Sequence, residues 1–374
     1  MERHFDFLNG DHLVCTQQSA VFTFSAPRAA LSSGALGGGL RYDLTGVFNY
    51  CDCGRAGVCR PMEGQNIREH QHAVAVRLGL DPTHTTGLDT AANLDNMVVV
   101  TRQWEDLWVT AAVSAGADVN ALCAGDPAPL QEKAGEPCMV PAGTINIFLI
   151  IGAKLSPGAM TELVMTATEA KTAVLRDLMQ GSSVSCNLAT GTGTDGVVII
   201  SGTEGEELLN GGKHFKLGEL AACAVKEAVQ EALFRQTGLC PQMQHSLLER
   251  LRRFGITEQS LCPDGEDRDV FPTVLHKLDR DSYLVSAAAL YVHLLDECRA
   301  GLLTEAESQD WADHLLNEIA AHYQCSFPVR QETDMLTKLK YFLNDLILTH
   351  LGERERLYGG DMPCKKSGTN AGNG

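Results

Sequence analysis

The run INIFLII at Ile145–Ile151 constrains this chain more than any other feature. It is strand-length, bounded by Gly143 and Gly152, and too apolar to leave one face in water, so it reads as a strand covered on both faces. Taken alone, the run is also compatible with a buried helical segment. Downstream, Ser156 is a good N-cap and Pro157 suits the first helical position. Apolar residues then recur at Met160, Leu163, Val164, Ala167, Ala170, Val174 and Leu178 up to Gly181, the pattern of an amphipathic helix. A second strand-like run, Val197–Ile200, follows a glycine-rich loop. A second helix then carries Leu217, Leu220, Ala221, Ala224, Val225, Ala228 and Ala232 in register and stops at Gly238.

Upstream, the runs near Met97–Thr101 and Leu107–Val113 are also strand-length. From about Cys240 glycine thins out, and helical patterns cover His245–Phe254, Asp281–Arg299, Thr304–Tyr323 and Glu332–Leu351. Thr304 and Glu307 have capping-box spacing. The expected class is therefore α+β: a layered mixed-sheet N-terminal domain with packed helices over 1–239 and a separate all-α domain over 240–358. A polar, glycine-rich tail over 359–374 is expected to be disordered.

Composition excludes several functions. Lys plus Arg number 30 against 47 Asp plus Glu, and a net charge of −17 with no basic stripe opposes binding to nucleic acid. No apolar run approaches the roughly 20 residues that span a bilayer. The start, MERHFDFLNGD, lacks a signal-peptide pattern, so the expected compartment is the cytoplasm. Thirteen cysteines, mostly single among apolar neighbours such as those of Cys123, Cys186, Cys223 and Cys298, fit reduced thiols better than a disulfide framework.

Four segments concentrate reactive or backbone-donor groups: SAGADVN at Ser114–Asn120, GTIN at Gly143–Asn146, TEAK at Thr168–Lys171 and TGTGTD at Thr190–Asp195. With TGLDTA at Thr86–Ala91 and GKHFKLGEL at Gly212–Leu220, their order and spacing resemble the adenosylcobinamide amidohydrolase family over roughly residues 25–233. The resemblance implies hydrolysis of the amide joining adenosylcobinamide to its aminopropanol arm, giving adenosylcobyric acid for coenzyme B12 synthesis. It implies no required cofactor, because the small-molecule substrate itself carries the cobalt corrinoid.

Amide hydrolysis needs a nucleophile or activated water, donors for the developing oxyanion and an acid for the departing amine. The glycines and threonines Thr190, Gly191, Thr192, Gly193 and Thr194 suit a ring of backbone donors, or a plain tight turn, and Asp195 suits the orientation of water. On a helix, Glu169 and Lys171 project about 200° apart, so they cannot share a proton. Lys171 falls on the apolar face, where an ammonium needs a partner; it is expected to reach Asp195 or substrate, or else to snorkel. Thr144 is a candidate nucleophile or, the preferred reading, a strand-edge hydroxyl beside direct attack by water; Asn120 and Asn146 are candidate amide-recognition groups, and His214 is a candidate proton-transfer group. The catalytic candidates are thus Asp195, Lys171, His214 and Thr144. Asn120, Asn146, Glu169 and the Thr190–Thr194 loop are the substrate-binding candidates.

Cys51, Cys53 and Cys59, followed by His70 and His72, supply enough soft donors for zinc or an iron–sulfur cluster, but at irregular spacing; free thiols in a loop are the other reading. In the helical domain Trp311, His314 and Tyr323 read as packing or as groups facing a ligand, and the domain itself reads as a lid or a homo-oligomer contact. Two rivals to the enzyme stay open: a non-catalytic corrinoid-binding or delivery protein on the same fold, and a redox or metal-responsive interaction module.

Overall fold

A computed structural model describes residues 2–53, 61–131, 143–261, 271–326 and 334–358. The chain divides into two units, Met1–Gln244 and His245–Gly374. In the first, Ile145–Ile151 is a strand with every residue buried. The order of elements is β1 (Arg3–Asp6), β2 (His12–Cys15), β3 (Ser19–Ser32), β4 (Gly39–Cys51), α1 (Ile67–Arg77), β5 (Thr85–Thr90), β6 (Val98–Trp104), β7 (Leu107–Ala115), β8 (Ala121–Leu122), β9 (Ile145–Ile151), α2 (Pro157–Asp177), β10 (Gly191–Thr192), β11 (Gly196–Ile200), α3 (Lys216–Thr237) and α4 (Pro241–Gln244).

One mixed sheet runs β1-β2-β3-β11-β9-β7-β6, and β4 branches from β3 to carry β5. The pairs β9/β11 and β4/β5 are parallel, and the other pairs in this sheet are antiparallel. The branch is possible because β3 is long and irregular. Its pairing with β4 shifts register around Arg28, and bulges of this kind bend a strand. Arg28 is fully buried at the bend and makes a bidentate pair with Asp11, 3.1 and 2.8 Å.

The period-two alternation of β9 sorts its side chains between two cores. Ile145, Ile147, Leu149 and Ile151 pack with Met160, Leu163 and Ala167 of α2 and with Ala221, Ala224 and Ala228 of α3. Phe148 and Ile150 turn the other way, towards Phe22 of β3, Val47 of β4 and Leu88 of β5. The outer face of β4, Phe48 and Tyr50, is covered by Val74 and Ala75 of α1.

The helix signals act as read. Ser156 Oγ accepts from the Ala159 amide at 3.1 Å to cap α2, and Gly238 closes α3 with φ +76°. In the second unit the elements are α5 (Leu247–Leu251), α6 (Glu258–Leu261), α7 (Phe271–Asp279), α8 (Ser282–Arg299), α9 (Glu305–His322) and α10 (Met335–Tyr358). The reciprocal Thr304–Glu307 capping box is formed at α9. The helix read over His245–Phe254 is shorter: Ser246 caps α5, and a 3₁₀ turn at Arg252–Phe254 ends it at Gly255. Trp311 is exposed, edge-on to His314, and the Tyr323 hydroxyl donates to Asp281, the N-cap of α8, at 2.7 Å. The tail 359–374 lies outside the described residues.

The reading of mostly reduced thiols holds for eight of the nine described cysteines; Cys53 is the exception and is disulfide-bonded. Apolar neighbours describe core thiols such as Cys15, but they do not bear on Cys53 in CDCGRAGVC, where cysteines recur at short spacing.

Candidate active site

The entrance of β9 collects most of the polar residues singled out above. Gly143 has φ +135°, a conformation that favours glycine, and an added Cβ would stand 2.9 Å from the Asn120 Cβ. Asn120 Nδ2 donates to the Gly143 carbonyl at 2.9 Å, and so does the Thr194 hydroxyl, also at 2.9 Å. That bond uses the only hydrogen on Thr194 Oγ1. In its 2.7 Å contact with Thr144 Oγ1, Thr144 must therefore be the donor, which leaves the Thr144 oxygen with acceptor capacity to spare. Among the described residues no carboxylate, amine or imidazole hydrogen-bonds Thr144 to activate it as a nucleophile.

Behind this edge Lys171, buried on α2, forms an ion pair with Asp195. Asp195 Oδ2 also accepts the Thr192 amide at 3.0 Å; Oδ1 accepts the Ile145 amide at 3.1 Å and the Thr192 hydroxyl at 2.6 Å. Four donors thus meet one carboxylate and occupy it fully, so Asp195 works as an anchor and is not a free base. Lys171 Nζ carries three hydrogens and gives one to Asp195. Gly191 makes the pair possible, because an added Cβ there would lie 2.2 Å from Asp195 Oδ2 and 2.7 Å from Lys171 Nζ.

The loop amides expected to face a ligand are largely taken up internally. The Thr192 amide goes to Asp195, the Gly193 amide to the Asn120 carbonyl at 3.3 Å, and the Thr190 amide to Leu122 at 2.9 Å. Gly193 and Thr194 are the exposed members of the loop. Asn146 is buried on the opposite face of β9 from Lys171. Its Nδ2 donates to Asn49 Oδ1 and to the Asp89 carbonyl, both at 2.9 Å, and Asn49 Nδ2 passes on to Ser114 Oγ at 2.8 Å. This chain joins β4, β5, β7 and β9 across the interior.

Two candidates stand apart from this group. Glu169 pairs with Lys213 at the surface, and His214 is exposed in the turn before α3. The opposite directions of Glu169 and Lys171 follow from their helical spacing.

On the outer side of β4 and β5 lies a second cluster. His70 of α1 is buried; the Glu63 amide donates to its Nδ1 at 3.0 Å, so the neutral ring holds its hydrogen on Nε2, directed at Asp52 Oδ1 at 2.9 Å. Asp89 Oδ1 stands 3.9 Å from Nε2 and is buried with no hydrogen-bond partner, while Oδ2 accepts from Gln71 Nε2 at 2.7 Å. Burial, and then the neighbouring Asp52, push the Asp89 carboxyl up to about 7. Donor atoms of Asp52, His70 and Asp89 lie within 4.8 Å of one another, close enough to share a cation.

Among the described residues the cysteine–histidine set read from the sequence does not assemble. Cys51 donates its thiol to the Cys53 carbonyl, Cys53 is oxidised, His72 is exposed and Cys59 lies outside the described residues. Asp52, Asp89, Asn49 and Ser114 were not singled out; the only sequence signal was that Asp89 and Ser114 fall within TGLDTA and SAGADVN.

No helix among the described residues is long and apolar enough to cross a membrane. Comparison with known proteins gives three results. A family model described as adenosylcobinamide amidohydrolase matches residues 4–241, more than half of the chain. The uncharacterized protein MJ1613 of Methanocaldococcus jannaschii is 37% identical over 182 residues, which cover 46% of this chain and 71% of that protein. The crystal structure of the PH0078 protein from Pyrococcus horikoshii OT3 aligns over 60% of this chain and 77% of its own, at 14% identity and a TM-score of 0.27.

Proposed function

The chain belongs to the adenosylcobinamide amidohydrolase family, and from that premise we propose that it hydrolyses the amide joining adenosylcobinamide to its aminopropanol arm. Water adds to the amide carbon, the C–N bond breaks, and adenosylcobyric acid and protonated aminopropanol leave. No cofactor is invoked beyond the cobalt corrinoid that arrives as substrate, and the cytoplasm is the proposed compartment.

The observation that carries this reading is the buried Lys171–Asp195 pair beneath the Thr144–Thr194 edge, within the matched region. Asp195 fixes Lys171 in place. The remaining ammonium hydrogens stabilise charge on the carbonyl oxygen, and the proton that Lys171 passes to the departing amine is replaced by one from the attacking water. The Thr144 oxygen positions the attacking water as an acceptor. Thr194 and Gly193, exposed at the mouth, contact the amide groups around the corrin.

Turnover of adenosylcobinamide, followed by release of aminopropanol, tests this in wild type and in Lys171→Met. Loss of one charge-stabilising donor should lower turnover by roughly 100-fold or more. A folded Lys171→Met protein with wild-type turnover would remove Lys171 from the mechanism.

A further inference from the structure

We propose that Asp52 Oδ1, His70 Nε2 and Asp89 Oδ1 bind one divalent transition-metal cation, with zinc the best match, at the C-terminal ends of β4 and β5. The three donor atoms come from separate elements: Asp52 directly follows β4, His70 lies on α1, and Asp89 lies near the end of β5. They lie within 4.8 Å of one another, with 2.9 Å between Asp52 and His70 and 3.9 Å between His70 and Asp89. One imidazole nitrogen with two carboxylate oxygens is a donor set that zinc accepts, with positions left over for water.

The independent pointer to a ligand is Asp89. Its Oδ1 is buried and aimed at this cluster with no hydrogen-bond donor to meet it. A buried carboxylate oxygen beside a second carboxylate is costly unless a proton or a cation answers it. Gln71 holds Asp89 in this orientation: its Oε1 accepts the Leu36 amide at 2.7 Å, which leaves Nε2 to donate to Asp89 Oδ2. Metal ligands are commonly fixed by such outer contacts.

Seating the cation has a local cost. It displaces the Nε2 hydrogen that His70 gives to Asp52, so the ring moves its hydrogen to Nδ1 and the Glu63 amide must turn away. Glu63 belongs to an exposed bend before α1, where such a change is inexpensive. In return the ion clamps the β4 end and β5 to α1. The Asp89 carbonyl is one of the two acceptors that hold Asn146, so the clamp also stiffens the floor of the candidate active site. The cation site does not depend on the amidohydrolase reading.

The test uses the full chain, stripped by chelation and then given Co2+ or Zn2+ in the absence of any corrinoid. Wild type should retain about one equivalent of zinc, and Asp89→Asn and Asp52→Asn should each bind roughly 100-fold more weakly or worse. The Co2+ form should show nitrogen and oxygen ligation without a thiolate charge-transfer band. A wild type that retains no metal, variants that bind like wild type, or a thiolate band that assigns the ion to cysteines would each overturn the site. If Asp89→Asn fails to fold, Asp52→Asn decides alone, because Asp52 is 22% exposed.

Discussion

Thr144 and Asp195 show how much a hydrogen-bond inventory adds to a residue's identity. Threonine beside glycine at a strand entrance allows a nucleophile, yet the direction of the Thr194 hydrogen bond makes Thr144 a donor with no base bonded to it among the described residues. Losing a true nucleophile costs on the order of 10⁶ in turnover. Thr144→Val should cost far less, within about a hundredfold, in single-turnover kinetics with no trapped acyl-enzyme. Asp89 supports a pH prediction. Burial raises its folded pKa to about 7, above its ordinary value, so the stability it allows is full near pH 4 and is lost as pH rises through 7. In chelator-treated protein the melting temperature should therefore fall between about pH 4 and 7, and Asp89→Asn should flatten that fall.

At the scale of elements, legibility tracks how local the signal is. The strand at Ile145–Ile151, the Ser156 cap, the Gly238 stop and the Thr304–Glu307 box each depend on a few neighbouring residues, and each is found where it was read. Thr304→Ala should cost about 1 kcal/mol in a denaturant melt. The pairing of β3 with β4 and of β4 with β5 was not legible, because it depends on a bulged strand and on contacts far apart in sequence. The same reason hid Asp52 and Asp89, which meet only once β4 and β5 lie side by side. Gly191 was legible as a turn residue but not as the residue that gives the Lys171–Asp195 pair its room. Gly191→Ala should destabilise the chain by about 1–3 kcal/mol, read as a lower melting temperature.

For the whole molecule, the family match at residues 4–241 ends inside the first unit, which closes at Gln244. A chain ending at Gln244 should therefore fold and keep the hydrolytic activity, as measured by circular dichroism and turnover. Loss of activity in a folded truncation would assign part of the site to residues beyond it. Hydrolysis of adenosylcobinamide by this chain is tested by mass analysis of the products formed in 18O-labelled water. The expected products are adenosylcobyric acid carrying one label in the new carboxylate and free unlabelled aminopropanol. Binding of adenosylcobinamide by folded protein with no such product would contradict hydrolysis.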